Sequence, residues 1–194
     1  MFGKQISLSH IIRITAIFLA VYAISALLWI QAKDSYAYFV TFIASKFAAG
    51  LKDARLEVIT MGKDTISTTF RSLIGIQYMF FPISIPTYMF TSNVPMTFAI
   101  LASLSLFIRR RARAMAEASL ILFMIHLIYV FSFESLNLTV AFMSNKIEDL
   151  NPFKVTVYQF LWGFTEYMFI RFGPFFIGVY IYLRFQKPPA GNEQ

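Results

Sequence analysis

The chain has 194 residues, 58% of them hydrophobic and 18% aromatic, and only 14% are charged. Soluble domains are about 45–50% apolar and about 25% charged, and a chain this small cannot bury the excess, so a water-soluble globular protein is excluded. The formal net charge of +7 does not describe a nucleic-acid-binding face: Lys4, Arg13, Arg109, Arg110, Arg111, Arg113, Arg184 and Lys187 all lie at ends of apolar segments, as the positive-inside bias of membrane proteins requires.

Cysteine is absent, which removes disulfides, thiolate nucleophiles and Cys-based metal centres. Residues 1–10, with Lys4 and His10, form a short polar lead. Residues 11–30 are then apolar for about 20 residues, the length of one membrane span. They end at Trp29, where an amphipathic ring suits the interface. A secretory leader has a shorter apolar core and a small-residue cleavage site, so this segment reads as a retained anchor. Asp34 then offers an N-cap. Tyr36, Phe39, Val40, Ile43 and Phe47 recur at helical spacing up to Gly50, which predicts a separate amphipathic helix lying on the outer leaflet.

Residues 55–70 alternate instead. Leu56 and Val58 flank Glu57, and Ile66, Thr68 and Phe70 interleave with Ser67 and Thr69, about the turn Met61-Gly62-Lys63-Asp64. This pattern predicts a β-hairpin, which in isolation is marginal in water and needs a cover or a partner. Arg55, Glu57 and Phe70 are accordingly candidate docking residues. Residues 73–86, broken by Gly75, Pro82 and Pro86, are expected to rest at the interface without crossing.

A second span is expected over 87–108, with Pro95 near its start. The cluster Arg109, Arg110, Arg111 and Arg113 then forms a cytoplasmic turn, and a third span follows over about 116–136. Residues 137–154, including Lys146, Glu148 and Asp149, are expected to form an external loop. The fourth span, about 160–184, returns inward to Arg184 and Lys187, and residues 188–194 form a loose tail. The predicted fold is therefore an all-α, four-helix polytopic membrane protein, one membrane domain over 1–194. A small external element of amphipathic helix and hairpin, residues 33–86, sits between spans 1 and 2.

Ionisable groups inside spans are costly and mark candidate sites. His126 lies at the middle of the third span. Arg171 and Glu166 lie in the fourth, where five residues of separation turn them about 140° apart on a helix, too far for a good pair. Arg171 is expected to reach a neighbouring helix, a partner or the outer interface, with Gly173-Pro174 kinking the helix beside it. The plainer alternatives are a packing histidine at 126, a hydrated Glu166 and an aromatic lipid-facing surface around residues 158–176. Ser119, Ser132 and Glu134 share the third span with His126, but serines seven and six residues away carry little catalytic signal. Phosphate loops, G-x-S-x-G, H-E-x-x-H and close carboxylate pairs are absent. No catalytic, cofactor-binding or metal-binding residue is expected, and no cofactor and no nucleic-acid partner. The expected partners are the lipid bilayer and a larger integral membrane protein.

Four pieces of the chain, residues 55–70, Ser92-Asn93-Val94-Pro95-Met96, residues 109–113 and residues 170–184, together resemble the small inner-membrane accessory proteins encoded beside exosortases. The resemblance implies a non-catalytic accessory or scaffold subunit of a bacterial inner-membrane protein sorting, secretion or envelope-assembly complex, with both termini cytoplasmic. Exosortases themselves use a Cys, Arg and His set, so a chain without cysteine is not that enzyme. Three alternatives remain: a transporter or channel subunit with His126, Glu166 and Arg171 along a polar path, a bacteriocin-immunity-type membrane protein, and an intramembrane hydrolase or transferase using His126.

Overall fold

The computed structural model of the chain describes residues 8–74, 77–147 and 151–186. Lys4, Gly75, Glu148, Asp149, Lys187 and the 188–194 tail lie outside the described residues, as does the side chain of His10. The protein is mostly helical, 74%, with a small three-stranded sheet. Three helices are long and apolar enough to cross a membrane, within Ile11–Leu51, Arg111–Ser144 and Pro152–Phe185.

The first helix, α1 (Leu8–Leu51), is continuous for 44 residues, where a span and a separate interfacial helix were expected. No glycine or proline interrupts residues 30–49, so nothing stops the helix, and Asp34 sits inside it instead of capping a new one. At 1.5 Å per residue it is roughly 66 Å long, twice the roughly 30 Å hydrocarbon thickness.

The predicted hairpin is present as β1 (Arg55–Met61) and β2 (Thr65–Ile74). Its turn is closed by Gly62 N–H donating to the Thr65 carbonyl at 2.8 Å. A third strand, β3 (Gln77–Pro86), pairs antiparallel with β2 along its whole length, giving the order β1-β2-β3. Residues 77–86, expected to rest at the interface without crossing, are this paired strand. Their alternation of buried Phe81, Ile83 and Ile85 with exposed Pro82 and Ser84 was masked by apolar residues on both faces. The prolines are tolerated because β3 is an edge.

Residues 87–108 do not form one membrane-length helix. They fold as α2 (Thr87–Thr91) and α3 (Val94–Leu104), split at Ser92-Asn93, with Pro95 in the first turn of α3. No residue of α3 is exposed, so it is a core helix and not a lipid-facing span. The expected second span is thus replaced by a broken segment. After the arginine turn, α4 (Arg111–Ser144) runs 34 residues, so the expected loop from 137 begins only after Ser144. The last helix starts at α5 (Pro152–Phe164), passes through a π-helical segment, Thr165–Ile170, and continues as α6 (Arg171–Phe185). Pro174 has no N–H to offer Ile170. The wider π turn just before it is the means by which the helix accommodates that loss.

Two compact units are distinguishable. One comprises the described parts of Met1–Gln31, Asn93–Leu122 and Gly173–Gln194. In it, Arg109 N–H donates to the Phe185 carbonyl at 3.1 Å and Ile108 bridges Gln186, which ties the arginine turn to the end of α6. Gly173, Pro174, Ile177, Gly178, Ile181 and Phe185 form the buried stripe of α6. Gly178 approaches Ile100 of α3 so closely that a Cβ there would lie 2.7 Å from Ile100 Cγ2. Arg184 pairs with Glu117 at 2.7 Å, and Tyr180 donates to the same carboxylate at 2.6 Å.

The other unit comprises Ala32–Ser92 and Phe123–Phe172. Along α1 its buried positions are Ala37, Val40, Thr41, Ala44, Ser45, Ala48 and Ala49, a face of mostly small side chains that permits close approach of neighbouring backbone. Ile66, Thr68, Phe70 and Ser72 of β2 turn inward with the buried residues of β3. Phe70 is fully buried, so the expectation that it docks a partner is corrected: its place in the alternation points it into the core.

Candidate functional site

Two places in the second unit gather polar groups. The first is a buried column on α4. His126 is fully buried, and its Nδ1 lies 2.7 Å from the Tyr36 hydroxyl of α1. The rings of Tyr36 and Phe90 both meet it edge-on, at 5.6 and 6.0 Å. Tyr129, one turn on, stacks between Phe90 and Phe133. Eight residues after His126 comes Glu134, also fully buried. Its Oε1 accepts hydrogen bonds from Ser45 Oγ of α1 at 2.8 Å and from Thr68 Oγ1 of β2 at 2.9 Å. Three elements therefore converge on one carboxylate, whose other oxygen, Oε2, is buried without a partner.

The second place is the outer face of the sheet. Arg55 and Arg71 are direct cross-strand partners, an arrangement that is destabilising for like charges unless they are compensated. Glu57, thrown out of register by the irregularity between Leu56 and Val58, lies 3.3 Å from Arg71. The Arg71 guanidinium also sits 4.8 Å from the centre of the Tyr78 ring. Arg55, Arg71 and Tyr78, with Asp53 and Leu73, line an open groove of about 190 Å³. Val58, Leu73, Tyr78 and Phe80 are all exposed around it. At the opposite end of β1, Asp64 adopts φ 93° and pairs with Lys33 at 2.7 Å. The hydrogen bond and charge of the Lys33 ammonium, helped by Lys63, hold the Asp64 carboxyl below the usual range.

The residues singled out in the sequence do not form one site. His126 is locked in the aromatic core. Arg171 is exposed, its guanidinium 4.9 Å from the centre of the Tyr167 ring. Glu166 lies in the π-helical segment with a buried Oε2 that has no partner, and among the described residues no ion pair joins it to Arg171. Ser132 gives its hydroxyl to the Ile128 and Tyr129 carbonyls of its own helix, so it is not poised as a nucleophile. Arg109, Arg110, Arg111 and Arg113 are all exposed. No three His, Cys, Asp or Glu side chains converge among the described residues.

The sequence reading placed Tyr36 and Thr68 only in their patterns, noted Glu134 only as sharing a span with His126, and passed over Ser45. The available signal was an acid near the end of an apolar run, together with a polar residue, Thr68, at an inward position of the alternating strand. No protein-family model, curated protein or solved structure matches the chain.

Proposed function

We propose that the chain is a non-catalytic accessory or scaffold subunit of a bacterial inner-membrane sorting, secretion or envelope-assembly complex, and that its sheet is the element that engages a larger membrane protein. The observation that carries this reading is the outer sheet face: exposed Val58, Leu73, Tyr78 and Phe80 around the groove of Arg55 and Arg71, with Glu57 paired to Arg71. A soluble surface rarely leaves such a group of large apolar side chains beside ordered charges without a use. The edge of β1 is a second available feature, because unpaired strand edges recruit strands, whereas Pro82 and Pro86 blunt the edge of β3.

The proposed orientation has both termini and the arginine turn in the cytoplasm and the sheet outside. The exposed arginines at 109–113, with Arg184, collect in one unit and the sheet in the other, which suits the positive-inside bias. About 20 residues of helix cross the hydrocarbon. Counted along each helix from Arg13, Arg111 and Arg184, the outer boundary falls near Lys33, Phe131 and Phe164, close to Trp29 and Trp162. The fourth crossing is then the broken α2–α3 segment. Its lack of exposed residues in α3 fits the rule that irregular backbone at membrane depth must be covered by protein.

The transport alternative needs His126, Glu166 and Arg171 along one path, and their separate surroundings lend it no support. A purification from native membranes with Arg55→Glu and Arg71→Glu combined distinguishes the two readings. The accessory role predicts loss of the co-purifying membrane protein with solute flux unchanged. Lost flux with the complex intact would overturn it in favour of transport.

A further inference from the structure

We propose that Glu134 is a binding site for one monovalent cation, a proton or a sodium ion, held where α1, β2 and α4 meet. The carboxylate is fully buried, and its two hydrogen bonds, from Ser45 and Thr68, both go to Oε1. Oε2 has no partner. Among the hydroxyls buried without a partner in the same unit, two lie on the helices that carry Ser45 and Glu134: Thr41 Oγ1, one turn before Ser45 on the buried face of α1, and Ser135 Oγ, adjacent to Glu134. A bare carboxylate taken out of water is too costly to persist unless it is neutralised or paired.

The charges around Glu134 do not supply that pairing. Its partners are neutral hydroxyls. Just past the end of α1, Lys52, seven residues beyond Ser45, has its ammonium over the Tyr158 ring. On α4, His126 lies two turns earlier against the Tyr36 hydroxyl. The inward faces of β2 and β3 carry no ionisable side chain among the described residues. One carboxylate with hydroxyl oxygens is a hard, singly charged donor set, which a monovalent ion neutralises and a divalent ion over-compensates. Because the two hydroxyl bonds come from a long helix and from the central strand, filling the site fastens the sheet to the helices. The sheet's attachment thereby depends on the cation, a property beyond the docking role itself.

The test uses the full chain in micelles, with thermal unfolding followed from pH 5 to 9 in sodium chloride and in choline chloride. In choline the wild-type Tm falls as pH rises and the proton leaves. If sodium also binds, sodium chloride restores Tm at high pH, by about 3–5 °C per tenfold rise in sodium activity; if only the proton binds, it does not. Glu134→Gln, neutral and of the same shape, abolishes both dependences. Should that variant fail to fold, isotope-edited infrared spectroscopy of the wild-type glutamates reads the same site, as a carboxyl band that responds to pH or to sodium. Wild-type curves flat in both salts, dependences unchanged in Glu134→Gln, or glutamate bands that respond to neither cation, would overturn the proposal.

Discussion

Glu134 and Asp64 show how differently two acids of one unit are handled. Glu134 is enclosed by neutral hydroxyls, and Asp64 is exposed with its charge favoured by Lys33 at 2.7 Å. The consequence for Asp64 has a definite sign. Its folded-state pKa is depressed, so its contribution is present above the unfolded value of about 3.9 and is lost as pH falls through the folded value. Asp64→Asn should remove that acid-side loss. Amide hydrogen exchange across the 62–65 turn, compared between pH 6 and pH 3, checks it. Faster opening on acidification is expected in the wild type, and no added acid sensitivity in the variant. Tyr36 plays a comparable local part for His126, placing a hydroxyl at Nδ1 where a buried ring nitrogen left unsatisfied would cost about 1–3 kcal/mol.

At the scale of elements, the contact between α3 and α6 is the most sharply defined. Gly178 permits it, since a Cβ there would come within 2.7 Å of Ile100 Cγ2. Small residues at helix contacts are the usual means of close packing in lipid. Gly178→Ala forces Ile100 to shift and should cost about 1–3 kcal/mol, read as a lowered midpoint in mixed-micelle unfolding. Ile100→Ala in the same background should recover part of the loss, because it removes the atom in the way.

How far these elements were legible follows from which physical signals were local. The hairpin was legible because Ile66, Thr68 and Phe70 alternate and Gly62 marks a turn. The third strand was obscured because Tyr78, Phe80, Phe81, Ile83 and Ile85 put apolar groups on both faces, and two prolines argued against a strand. The length of α1 was recoverable from the absence of any breaker after residue 30. The division of 87–108 was not, because hydropathy cannot separate a lipid-facing helix from one sheathed by protein, as α3 is. His126 stood out as an ionisable residue in a span. Glu134 became a candidate only once Ser45 and Thr68, 89 and 66 residues away, were seen to reach it.

For the whole molecule, two chemically different sets of residues fall in different units. The exposed arginines and Arg184 belong to one unit, and the sheet with its charged, aromatic outer face belongs to the other. In the proposed orientation the arginine cluster sets the sidedness of the chain, and the proposed working surface lies on β1, β2 and β3. Contact between that surface and a partner is read by site-specific photocrosslinking in native membranes. A photoreactive residue placed at Val58 or at Phe80 should each yield an adduct with the same discrete integral membrane protein, while one placed at exposed Leu120 of α4 should yield lipid adducts. Lipid adducts alone at all three positions, or unrelated proteins from Val58 and Phe80, would contradict the docking role of the sheet.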